Sequence, residues 1–98
     1  MISKHAAIVL ALMWLPWGAA LAADAPPGAS SCSGCHPMSR AVDTPVHRLI
    51  GANPAEILAA MQGFRSGTRP ATVMDRIAKG FTDEEIKAIA DWYGAQRD

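Results

Sequence analysis

The chain has 98 residues, with nine Lys/Arg against nine Asp/Glu and a formal net charge of zero. That balance gives no argument for nucleic acid or an acidic membrane surface as a partner. The length permits one small domain.

The first element covers residues 1–23. Lys4 lies near the start, residues 6–15 are an unbroken apolar run, and Ala20-Leu21-Ala22 puts small residues at the two positions a signal peptidase reads. These are the marks of a secretory signal peptide cleaved after Ala22 or Ala23. Pro16 and Gly18 break the helix that a permanent anchor would prefer. The alternative is an uncleaved membrane anchor, since residues 6–23 are just long enough to span a bilayer. Export would place the protein in the periplasm, an oxidising compartment. Removing residues 1–23 leaves 75 residues, 24–98, with eight Lys/Arg against nine Asp/Glu. At roughly 70–80 residues a single apolar core only begins to stabilise itself comfortably, so a staple is expected.

Residues 24–29 read as a loose Pro- and Gly-rich lead-in. Ser30 or Ser31 is placed to cap a short helix bearing Cys32-Ser33-Gly34-Cys35-His36. C-x-x-C-H is the sequence at which haem is covalently attached in c-type cytochromes. Cys32 and Cys35 can present both sulfurs to the two vinyl groups along one haem edge, while His36 offers its imidazole to the iron from the proximal side. Covalent haem in this compartment would be the staple. A structural zinc site needs four N/S ligands, and His47 is the only other candidate outside the leader. A thioredoxin-type pair wants a βαβ context, and no strand-like alternation occurs. A disulfide between residues so close would close a tiny loop and add little.

Pro37 disfavours helical geometry at His36, so the first helix should end there. Residues 38–52 read as an irregular loop in which Pro45 can lend its carbonyl to the free N–H of the His36 ring. The next helix opens with Asn53 as cap, Pro54 at the first helical position and Glu56 three residues after the cap. Ile57, Leu58, Met61 and Phe64 form its apolar stripe, and Gly67 marks its exit. Thr82 and Glu85 form a capping box for the last helix, whose stripe is Ile86, Ile89, Ala90 and Tyr93 with Trp92 on its flank, ending near residues 94–97. No internal repeat or second domain is evident.

Five methionines compete to be the second axial ligand. Met1 and Met13 leave with the leader. Met38 is two residues from His36, and two extended residues reach only about 7 Å, too little to wrap to the opposite haem face. Met61 lies on a helical stripe, where a thioether usually fills core space. Met74 sits 38 residues after His36 between the two longer helices, where Gly67, Pro70 and Gly80 let the chain bend over the far side of the haem. The rival His47 lies in the loop after the haem motif, on the proximal side. Arg65, Arg69, Arg76 and Lys79 surround Met74 in sequence; they could neutralise haem propionates or face an acidic partner, against an ordinary solvated surface. Trp92 could pack on the first helix or haem edge, or meet a partner half exposed.

Residues 30–96 resemble a small class I cytochrome c. The run Phe64-Arg65-Ser66-Gly67-Thr68-Arg69-Pro70-Ala71-Thr72-Val73-Met74, continuing through Ile77-Ala78-Lys79-Gly80-Phe81-Thr82-Asp83-Glu84-Glu85-Ile86, resembles the cytochrome subunit of flavocytochrome c sulfide dehydrogenase. The resemblance implies an all-α fold of about three helices wrapped around one covalent haem c, with Met74 matching the distal iron ligand. It also implies that the proline matching Pro45, upstream of Leu49-Ile50-Gly51, flanks the proximal histidine. Members of this family accept electrons from a separate FAD-bearing subunit that oxidises sulfide, and pass them to a soluble carrier. One departure is the loop 37–44, Pro37-Met38-Ser39-Arg40-Ala41-Val42-Asp43-Thr44, which replaces the usual Gly-rich stretch and bears on partner choice.

Three functions follow for comparison. A haem subunit of a flavoprotein sulfur dehydrogenase would have a flavoprotein gene beside its own. A free-standing periplasmic carrier would have an isolated gene. A haem enzyme or sensor would bind CO in the reduced state at neutral pH. With His36 and Met74 both on the iron, no position is open to substrate, and electron transfer without catalysis is the expected role.

Overall fold

The computed structural model describes residues 24–97; the leader expected over residues 1–23 lies outside them. Four helices follow in chain order: α1 (Ala29–Cys32), α2 (Pro54–Ser66), α3 (Met74–Ala78) and α4 (Asp83–Ala95). The all-α expectation holds, and no strand occurs among the described residues. The number of helices differs from about three because α3 forms inside the segment read as a bending loop. No helix among the described residues is long and apolar enough to cross a membrane.

The long helices start and stop where the residues dictate. Asn53 Oδ1 accepts from Ala55 N at 2.9 Å, Pro54 opens α2, and Gly67 closes it with φ 80°. At α4 the Thr82 hydroxyl accepts from Glu85 N at 3.2 Å while Glu85 Oε1 accepts from Thr82 N at 3.0 Å, a reciprocal capping box. Helix α2 packs against both α3 and α4. The crossing of α4 with the start of α2 needs Gly94, because a Cβ there would stand 2.8 Å from the Ala52 carbonyl oxygen.

The start of α1 corrects the capping expectation. Gly28 is its N-cap, with φ 86° and no side-chain cap, and Ser30 and Ser31 lie inside the helix. Ser31 Oγ instead donates back to the Gly28 carbonyl at 2.6 Å. The tight turn after Pro26-Pro27 requires a left-handed residue, which only glycine adopts without strain. The helix also stops at Cys32, four residues before the expected end at His36.

The buried residues are Ala29, Ile50, Ala78, Ile86, Ile89, Ala90 and Tyr93, so the α4 stripe read from the sequence is the core. The corresponding stripe of α2 stays half-buried, and α2 contributes no buried residue. Tyr93 ties the layers together. Its hydroxyl donates to the Ala29 carbonyl at 2.5 Å, and its own carbonyl accepts from Gly51 N at 3.0 Å. The helix that ends at Cys32 and the segment leading to α2 thus hang from one residue of α4.

Tyr93→Phe is expected to destabilise the protein by about 0.5–1.5 kcal/mol, because it removes a buried hydrogen bond between α4 and α1. At this size that lowers Tm by roughly 4–8 °C per kcal/mol, measurable by thermal melting of the haem-bearing protein. Burial of the hydroxyl pushes Tyr93 above the ordinary tyrosine value, with Cys32 adding to the shift. The folded state therefore favours the neutral phenol: this contribution is complete below pH ~10 and is lost as pH rises through the folded value. Tyr93→Phe should accordingly show a smaller alkaline loss of Tm than the wild type.

Candidate haem site

The site starts from the turn that ends α1. Cys35 N and His36 N both donate to the Cys32 carbonyl, at 3.2 and 2.9 Å, so one turn wraps both cysteines and the histidine around a single acceptor. Both thiols are free, with Cys32 half-buried and Cys35 exposed. Burial pushes the Cys32 thiol above its ordinary value, holding it neutral at pH 7.

The His36 ring is half-buried and oriented by the backbone: its Nδ1 hydrogen-bonds the His47 carbonyl. A carbonyl oxygen only accepts, so Nδ1 carries the proton and Nε2 presents a lone pair. This corrects the expectation that Pro45 supplies the acceptor. Thr44 Oγ1 accepts from Val46 N at 3.1 Å, turning residues 44–46 on themselves. The chain becomes anchored just afterwards, where Ile50 enters the core and Gly51 N reaches Tyr93. The carbonyl that faces His36 is the one at the edge of that anchored segment.

Met74 is half-buried and is the first residue of α3. Val73, before it, has no side-chain cap; Arg76 N and Ile77 N instead donate to its carbonyl, at 3.1 and 3.2 Å. Met61 is half-buried in the middle of α2, and Met38 is exposed. Ile57, Leu58, Met61 and Phe64 line α2 as half-buried apolar groups. Two thiols and an imidazole on one turn, a half-buried thioether on α3 and an incompletely buried apolar face on α2 suit a porphyrin. Zinc is less well served: among the described residues no three His, Cys, Asp or Glu side chains converge on one point.

Two of the four basic residues near Met74 are engaged by the protein. Arg65 pairs with Asp83 at 2.7 Å and donates to the Phe81 carbonyl at 2.9 Å, joining the end of α2 to the start of α4. Its Nε is buried without an acceptor. Arg69 lies over the Phe64 ring, 5.2 Å from its centroid. Arg76 and Lys79 are exposed. Trp92 meets Tyr93 edge-on at 4.8 Å and packs against the core cluster of Ala29, Ile50, Ile89 and Tyr93. Sequence reasoning missed Arg48, whose guanidinium reaches three carbonyls of the loop after the haem motif. An isolated arginine in a loop carries no pattern that could have shown this.

Among known proteins, the chain is similar to the cytochrome subunit of sulfide dehydrogenase from Chlorobaculum tepidum, 41% identical over 64 residues. That match takes in 65% of this chain and 58% of the subunit, so the chain spans little more than half the length of that relative. It is also similar to cytochrome c-553 of Nitratidesulfovibrio vulgaris, 33% identical over 79 residues, or 76% of this chain and 78% of that protein. No protein-family profile matches. No solved structure matches. An all-helical fold carrying C-x-x-C-H on its first turn, matched to c-553 across more than three quarters of both sequences, places the chain in the family of small c-type cytochromes, carriers of electrons and not enzymes themselves.

Proposed function

We propose that this cytochrome is exported to the periplasm, binds one haem c through thioethers at Cys32 and Cys35, and holds the iron between His36 and Met74. Its electrons come from an FAD-bearing sulfide-oxidising subunit and go to a soluble carrier. In this reading residues 1–23 are a cleaved signal peptide and residues 24–98 a single cytochrome domain. The observation that carries the partner assignment is the 41% identity to the cytochrome subunit of a sulfide dehydrogenase.

When bound, the haem supplies a one-electron Fe(III)/Fe(II) couple. Cys32 at the end of α1 and Cys35 in the turn after it would tether the haem, so that it stays bound in either redox state. His36 would offer Nε2, with the His47 carbonyl fixing its ring and raising its basicity. The same contact puts residue 47 behind the proximal ring, which supports Met74 over His47 as the opposite ligand. A thioether from Met74 favours the ferrous state and raises the potential, suiting an acceptor of electrons from flavin or reduced sulfur. With His36 and Met74 both holding the iron, the chain would leave no position open to substrate and would only pass electrons.

A free-standing carrier is the second reading, favoured by the fuller match to cytochrome c-553. Isolation of the mature protein from its native periplasm separates the two. A stoichiometric flavoprotein copurifying supports the first reading, and a cytochrome recovered alone supports the second. The same preparation should have an N-terminus near Asp24; an intact residue 1 would sink the cleavage. Acid–acetone treatment should leave the colour with the polypeptide, whereas haem extracted into the solvent would show that Cys32 and Cys35 do not hold it.

A further inference from the structure

Arg48 follows His47 and is half-buried. Its Nη1 donates to the Ser39 carbonyl at 2.7 Å, and its Nη2 donates to those of Arg40 at 3.0 Å and Val42 at 2.6 Å. The loop it grips lies in the glycine-free stretch 37–44. Two further bonds lie within the loop: Val42 N donates to the Ser39 carbonyl at 3.4 Å, and Ala41 N donates to Ser39 Oγ at 3.1 Å. Neither spans more than three residues, so neither reaches beyond the loop. Arg48 ties the loop to an anchored segment, because two residues on Ile50 is buried and three on Gly51 is bonded to Tyr93. Arg40 lies over Gly51 as well, with its Nη2 3.2 Å from where a Cβ on that glycine would be.

The excursion from His36 to His47 is therefore closed twice, by the imidazole on the His47 carbonyl and by the Arg48 guanidinium on the carbonyls of residues 39, 40 and 42. The two closures sit on adjacent residues. We propose that Arg48 is a positioning residue for His36: its planar fork clamps the loop, holds the His47 carbonyl on the ring and so sets the reduction potential. This rests on His36 being the proximal ligand.

The sign of the effect separates positioning from charge. A carbonyl on Nδ1–H makes the imidazole a stronger donor and favours the oxidised iron, so losing that bond raises the potential. Losing a positive charge beside the haem would lower it. Arg48→Lys keeps the charge and removes the fork. In the haem-bearing variant we expect a higher potential than wild type, together with at least tenfold faster solvent exchange of the His36 ring N–H by NMR. A potential and an exchange rate both equal to wild type would overturn the proposal. Should Arg48→Lys fail to fold, the wild-type protein carries the test. Guanidinium protons of Arg48 and the His36 ring proton should exchange through one opening, with the same dependence on denaturant, and unrelated openings would overturn it. His36→Ala distinguishes the underlying reading: an unchanged haem spectrum there would remove His36 as ligand, whereas a lost spectrum with a silent Arg48→Lys would sink the clamp alone.

Discussion

Exported protein carrying Cys32→Ala and Cys35→Ala, and hence no tethered haem, is expected to be largely unfolded. Among the described residues three of the seven in the core are alanines, and only Tyr93 and Ile86 are large side chains removed from water almost completely. Helix α1 has four residues and α3 five, far below the roughly 12–15 at which even favourable helices become marginally stable alone. Helix α2 has thirteen, but its stripe of Ile57, Leu58, Met61 and Phe64 is half-buried and no residue of it is fully covered. Ordering the backbone costs about 1–2 kcal/mol per residue, and a core of this size offsets only part of that. A porphyrin against the α2 stripe would complete the burial, with the thioethers removing its translational freedom. Circular dichroism of the double variant is the measurement. Weak helical signal and no cooperative melt are expected; a strongly helical, cooperatively melting form would show that the polypeptide folds unaided.

The elements legible in the sequence are those whose signals are local. The Asn53 and Thr82 caps and the 3.6-residue stripe of α4 each depend on residues within one or two turns, and the structure realises all of them. Helix α3 was not legible, because Met74-Asp75-Arg76-Ile77-Ala78 is too short to show a period and starts from Val73 without a capping side chain. The cap of α1 was missed for a related reason: two adjacent serines outweigh a glycine in a propensity argument, although the turn after two prolines demands a positive φ at Gly28. At the candidate haem site the proposed ligand types rest on spacing. The partner of the His36 ring could not, since the choice between the carbonyls of residues 45 and 47 depends on where the loop is anchored to Tyr93. That anchor joins residues 51 and 93, and the contact of Tyr93 with Ala29 spans 64 positions. No window along the chain contains both ends.

Met74→Ala is expected to lower the reduction potential by on the order of 0.1 V or more, a fraction of the roughly 0.8 V over which axial ligands move haem proteins. A thioether is a soft, weakly basic ligand that favours Fe(II), and water or a stray nitrogen ligand in its place favours Fe(III). The weak near-infrared band of Fe(III)–thioether ligation should vanish with it. Folding should survive better than in the double cysteine variant, because Met74 is half-buried at the start of a five-residue helix and Cys32 and Cys35 are left in place. Met61→Ala is the informative comparison. Met61 lies half-buried on the α2 stripe, so its loss should lower stability by less than the roughly 2–5 kcal/mol of a fully buried methionine truncation, while the band and the potential stay near wild type. Potentiometry and near-infrared spectra of the two variants, recorded side by side, test the assignment. A band that persists in Met74→Ala but disappears in Met61→Ala would move the distal ligand from α3 to α2, and with it the face of the haem over which residues 67–80 pass.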